Sequence, residues 1–142
     1  MTAVARPRGD KPLSAPAKLA LAIEVVSTYV RARRSLRRDG LRETLDGLRS
    51  VAPRPDPAAD PVADGRRLGR IVARTLGALP ADGRCLSQSL VLTRLLAARG
   101  IDSRLVIAVR PGGQFAAHAW VEHDGIPLLP PGAERFEELV TL

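Results

Sequence analysis

The chain holds one cysteine, Cys85, and two histidines, His118 and His123. A thiol attacks a carbonyl only as thiolate, and an imidazole that takes its proton makes it a competent nucleophile. Asp82-Gly83 reads as a helix start, which puts Cys85 where unpaired backbone N–H groups and the helix dipole favour negative charge. A lone cysteine is more often buried filler, so Cys85 alone decides nothing. His118 shifts the balance. It lies in an alternating stretch that puts Ala116, His118, Trp120 and Glu122 on one face and Phe115, Ala117, Ala119 and Val121 on the other. Ala116, Ala117 and Ala119 leave room for a helix end or a peptide backbone beside the imidazole. His123, next to a turn, is expected to be solvated.

The elements that must position these two groups form the last third of the chain. From Cys85, the apolar residues Leu86, Leu90, Leu92, Leu95 and Leu96 carry a helix to Arg99-Gly100, where glycine suits the stop. Helical spacing sets Ser89, Leu92 and Leu96 on roughly the Cys85 face. Arg104 to Val109 reads as a strand, and Pro111-Gly112-Gly113 as a turn. A second strand from Phe115 to His123 meets the two-residue turn Asp124-Gly125, and Ile126 to Leu129 returns antiparallel. Helices first and a small antiparallel sheet last make an α+β fold.

Upstream, residues 1–16, with Arg6, Pro7, Arg8, Pro12 and Pro16, are expected to be a disordered tail. Residues 17–62 form a basic helical region with a proline-rich loop. Leu19, Ala22, Ile23, Val26, Tyr29 and Val30 recur at helical spacing as one face, which gives way to Arg33-Arg34-Ser35-Leu36-Arg37-Arg38. A shorter helix comes next on Leu41, Leu45 and Leu48. Prolines at 53, 55, 57 and 61 impose an extended spacer. A third helix carries Leu68, Ile71, Val72, Thr75, Leu76 and Leu79 and ends at Pro80. Residues 63–142 would then be the functional core.

Composition removes several classes of function. The 142 residues suit one domain, and 45% of them are apolar. A single cysteine excludes an internal disulfide, and with two histidines no structural metal site is expected. No cofactor is expected either. The net charge is +7, of which +6 falls in residues 1–50 (11 basic, 5 acidic) and +1 in residues 51–142 (11 and 10). Only two Phe, one Trp and one Tyr argue against nucleic-acid binding by stacked aromatics. No apolar run spans a bilayer and no signal peptide is evident, so the protein is expected to be cytoplasmic, without membrane contact.

The segments Arg84-Cys85-Leu86-Ser87-Gln88-Ser89-Leu90, Leu95 to Ile101, Arg104 to Ile107 and Phe115 to Glu122 together resemble the transglutaminase-like cysteine peptidases of lasso peptide biosynthesis. The likeness covers residues 66–129 and fits the split form of these leader peptidases, in which a separate protein recognises the leader peptide. It implies a papain-like core with the cysteine helix packed on an antiparallel sheet carrying the histidine. Cys85 would be the nucleophile at the leader–core junction and His118 the base. The Cys85 backbone N–H, with Gln88 as a second candidate, would hold the oxyanion. Implied partners are the precursor's leader peptide, a leader-recognition protein and an ATP-dependent lasso cyclase. The basic N-terminal helices are expected to dock the recognition protein or the precursor.

In one respect the chain departs from that family, which usually supplies an Asp about a dozen residues after the histidine. Here Leu129-Pro130-Pro131-Gly132 stands at that place. With Asp124-Gly125 as the turn, paired positions sum to 124 + 125 = 249, so His118 faces position 131, a proline. Asp124 lies six residues along the strand, about 20 Å away, and Glu122 four, about 13 Å. Glu122 and Glu134 are the candidates for the orienting acid, with a main-chain carbonyl as a further option, and the third member stays unassigned. The missing acid also motivates a second reading, a non-catalytic binding subunit that keeps the fold.

Overall fold

The computed structural model describes residues 12–54, 60–78, 84–109, 117–129 and 137–142. Helix α1 (Ala15–Asp39) opens at Ser14, whose hydroxyl accepts from the Ala17 amide. It begins inside the stretch expected to be a tail, and Leu13 already packs against the core. Nor does it give way at the arginines, since Arg33 to Arg38 all lie within it. Its buried face is Leu21, Val25, Thr28 and Ala32, whereas Leu19 and Ile23, expected inside, are 63% and 60% exposed. Val26 and Val30 are exposed with them. The reason is electrostatic: at 3.6 residues per turn, Arg33, Arg34 and Arg37 continue the row of Leu19, Ile23, Val26 and Val30. Burying that row would drag guanidinium groups out of water.

Gly40, at φ +86° and ψ 178°, makes the corner to α2 (Leu41–Arg49) in a conformation that suits only glycine. Thr44 fixes the corner, its hydroxyl 2.6 Å from the Gly40 carbonyl. Leu45 and Leu48 are buried, as their spacing predicts. The next stretch is tied down before it leaves the described residues at 55. The Arg54 amide donates to Ala98 O at 2.8 Å, and the Arg54 side chain shares Glu24 with Arg99. Pro61, expected in the extended spacer, instead opens α3 (Pro61–Leu76), where Asp60 caps the Ala63 amide.

Helix α4 (Arg84–Ala97) is the central element. It packs on α1, α2, α3 and the sheet, and Leu90, Val91, Leu92, Leu95 and Leu96 are all essentially without exposure. It stops as expected at Gly100, φ +71°, where Gly100 N–H donates to Ala97 O and Ile101 N–H to Leu96 O. That bonding satisfies the last carbonyls and folds Ile101 back onto Leu96.

The sheet has the order β3-β2-β1-β4. Strand β1 (Arg104–Val109) pairs antiparallel with β2 (Ala117–His123), from Arg104 opposite Glu122 to Val109 opposite Ala117. Asp124 and Gly125 both have positive φ, as a tight two-residue hairpin turn requires. Beyond it β3 is only Ile126–Pro127, shorter than the expected return to Leu129, although Leu128 N–H still reaches Val121 O at 2.8 Å. An unexpected fourth strand, β4 (Glu137–Thr141), lines the other edge of β1.

All these elements share one core, in which Leu21, Val25, Leu45 and Leu48 lie together with Leu68, Val72, the α4 leucines and Leu105, Val106 and Val121. The boundary expected between residues 17–62 and 63–142 falls within the first turn of α3. The overall arrangement is the predicted α+β one, a cysteine-bearing helix on a small antiparallel sheet. Among the described residues no helix is long and apolar enough to cross a membrane.

The segment after β3 is seated on α3 by two glycines one turn apart. A Cβ on Gly69 would stand 2.5 Å from the Leu128 carbonyl oxygen, and one on Gly65 would stand 2.7 Å from a Leu128 methyl. The first obstacle is backbone and the second a movable side-chain tip. Gly69→Ala should therefore lower stability by about 1–3 kcal/mol, outweighing the helix propensity gained. At Gly65→Ala that gain, about 0.5–1 kcal/mol, offsets most of the clash. Urea denaturation of the two variants side by side checks the difference.

Candidate active site

Cys85 is the second residue of α4, half-buried and packed against the edge of the core. Its main-chain N–H is one of the four that a helix start leaves without an intrahelical acceptor. One turn along, the buried Ser89 hydroxyl donates to Cys85 O at 2.8 Å, and Thr93 donates in the same way to Ser89 O. Both hydroxyls are thereby satisfied within the helix, so the face below the thiol can be packed without stranded polar groups. Gln88, on the first turn, is half-buried.

His118 is the second residue of β2, half-buried, opposite Ala108 of β1. Helix α4 packs against β2, so the two elements that carry the thiol and the imidazole are in contact. Small side chains flank the histidine: Ala117 and Ala119 in its own strand, Ala108 across from it. The indole of Trp120 lies on the same face, ring centroids 5.9 Å apart and tilted by 33°. In turn the Trp120 indole N–H donates to Glu122 Oε1 at 2.9 Å. Alternation thus lines up imidazole, indole and carboxylate, and the Glu122 carboxylate holds the ring that lies next to His118. Sequence reasoning placed the three residues on one face but did not find this bond. The i, i+2 spacing of an indole donor and a carboxylate acceptor is the signal that could have found it.

The hairpin register is the expected one, with Glu122 opposite Pro127 and His123 opposite Ile126, pairs that each sum to 249. Position 131, which that register sets opposite His118, lies outside the described residues, as does Glu134. His123 differs from expectation. Its side chain is 15% exposed, Nδ1 lies 2.6 Å from Asp102 O, and Nε2 lies 3.3 Å from the Asp124 carboxylate. Because a carbonyl only accepts, Nδ1 must carry the proton. The ring links the hairpin to the stretch ahead of β1 and is a structural residue, not a solvated one. Among the described residues no group of three or more His, Cys, Asp or Glu comes together that could hold a metal ion.

A cysteine in the first turn of α4 and a histidine on the strand that α4 packs against are the two groups a thiol–imidazole site requires. The model of the transglutaminase-like superfamily matches residues 26–141, and the chain belongs to that superfamily. The match takes in most of α1 as well as α2, in keeping with their place in the common core. No curated protein and no solved structure gives a significant match.

Replacing Glu122 tests the row of three directly. Glu122→Leu removes the acceptor from a largely buried indole N–H and should cost about 1–3 kcal/mol. Glu122→Gln keeps a carbonyl acceptor and should cost about 1 kcal/mol or less. The chain has a single tryptophan, so denaturation followed by its fluorescence reports on this ring alone.

Proposed function

We propose that the protein is a cysteine peptidase that removes the leader from a ribosomally made lasso precursor, with Cys85 as nucleophile and His118 as base. The observation that carries this is the packing of α4, with Cys85 in its first turn, against β2, with His118 in its second position, in a chain of the transglutaminase-like superfamily. The leader-peptide substrate is supported by the family resemblance of residues 66–129.

His118 takes the thiol proton, and Cys85 Sγ attacks the carbonyl carbon at the leader–core junction. The oxyanion accepts from the Cys85 main-chain N–H, with Gln88 as the second candidate donor. As the tetrahedral species collapses, the C–N bond breaks and His118 returns the proton to the leaving amine, leaving the leader as a thioester on Cys85. A water, deprotonated by His118, cleaves the thioester and restores the thiol. The Trp120–Glu122 pair acts on this sequence as positioning, by holding the indole against the imidazole. A leader-recognition protein presents the precursor, and an ATP-dependent cyclase receives the freed core.

The test is mass spectrometry of a candidate precursor incubated with the protein, with and without its recognition partner, beside Cys85→Ala and His118→Ala. Cleavage at one bond, lost in both variants, is the expected result. An intact precursor in every tube, with an active partner present, would favour the non-catalytic binding subunit. Alkylation by iodoacetamide in mildly acidic buffer is a second readout. Cys85 should react much faster than a free thiol, and His118→Ala should remove the acceleration.

A further inference from the structure

Helix α1 borders two grooves, one near each end. The first, of about 380 Å³, lies between α1 and α3. Lys18, Arg67, Arg70 and Arg74 surround it, and Leu21 and Ile71 help form its floor. The second, of about 240 Å³, lies between α1 and the start of α4, with Arg33 and Arg37 on one wall and Leu86, Ser87 and Leu90 on the other. Among the described residues no acidic side chain lines either groove. Both open on the same flank of α1. Lys18 and Ala22 border the first, Tyr29, Arg33 and Leu36 the second, and separations of 4, 7, 4 and 3 residues keep all five in one row.

From Lys18 to Leu36 the row runs about 27 Å at the helical rise, the reach of about eight extended residues. Its far end borders Leu86 and Ser87, the two residues directly after Cys85.

We infer that this basic flank of α1 is a binding track for an acidic, apolar-studded peptide segment of about eight residues, whose end it delivers to the first turn of α4. Carboxylates would pair with Arg70 and Arg74 at one end and with Arg33 and Arg37 at the other, while apolar side chains fill the floors between them. The floors are aliphatic and, among the described residues, Tyr29 is the only aromatic one lining either groove, which suits peptide side chains and not stacked bases. Both sites are concave, which suits a chain laid between helices and not a flat bilayer. A second copy of this flank, or residues 1–11 with Arg6, Arg8 and Lys11 against the one acid Asp10, would bring like charge to the grooves. Identifying the occupant as the substrate's leader rests on the peptidase reading. Binding itself needs no turnover.

The experiment uses the full chain carrying Cys85→Ala, so that the outcome is independent of catalysis. Fluorescence anisotropy compares a labelled decapeptide alternating Glu with Leu and Ala against its Gln counterpart, at low and high salt. The Glu peptide should bind about tenfold more tightly at low salt, the size that a few exposed ion pairs supply together, and the advantage should shrink at high salt. Arg70→Glu with Arg74→Glu, and separately Arg33→Glu with Arg37→Glu, should each remove most of that advantage. All four together should transfer the preference to a Lys peptide. Circular dichroism confirms that each variant is folded. Equal binding of the Glu and Gln peptides would overturn the inference. So would an equal loss from Arg31→Glu with Arg42→Glu, which lie outside both grooves, since that would make the effect diffuse charge. Displacement of the peptide by phosphatidylglycerol vesicles or by an oligonucleotide more readily than by unlabelled peptide would reassign the surface to a membrane or a nucleic acid.

Discussion

A helix covered on every side has no face left to offer water, and α4 is such a helix. Helices α1, α2 and α3 and two strands of the sheet all pack on it, and from Leu90 to Leu96 only Arg94 has appreciable exposure. A reactive side chain in the middle of such an element would be sealed off. At its first turn the same element offers a half-buried position, main-chain N–H groups without intrahelical acceptors, and a neighbouring strand. Ser89 and Thr93 show how strict the enclosure is, because both buried hydroxyls turn back onto the helix's own carbonyls. The remaining elements can be understood as the covering this one helix requires.

How the covering is arranged was only partly legible in the amino-acid pattern. Strand β1 and the Asp124-Gly125 turn were readable to the residue, because branched side chains and a turn needing two positive φ values leave few alternatives. The stop of α4 at Gly100 was readable for the same reason. The inner face of α1 was not. Its more hydrophobic row, Leu19, Ile23, Val26 and Val30, faces outward, while Thr28 and Ala32 help make the buried one. Periodicity reports that a helix has faces; which face turns inward was decided by the arginines that extend the outer row. Strand β4 escaped notice because Glu137-Glu138 reads as polar surface. Its place is set by main-chain pairing with β1, including two bonds between Leu105 and Leu142, and side-chain pattern carries little of that information.

At the candidate site the residue types were the legible part and their supports were not. Cys85 and His118 could be picked out from one helix start and one alternating strand. That Glu122 holds the Trp120 indole beside the imidazole, and that His123 clamps Asp102 to the hairpin, depends on side-chain directions no spacing rule reports. Glu122 shows the difference well. It entered as a candidate partner of His118, and its carboxylate is bonded to the ring that stands between them along the strand.

The short strand β3 leaves the sheet after two paired residues, and Leu128 and Leu129 then rest on α3, where Gly65 and Gly69 admit Leu128 at close range. Further along, β4 is anchored independently by its pairing with β1. The end of the hairpin and the edge strand are thus held by different partners, α3 and β1, and a change that loosens Leu128 on α3 need not unzip β4 from β1.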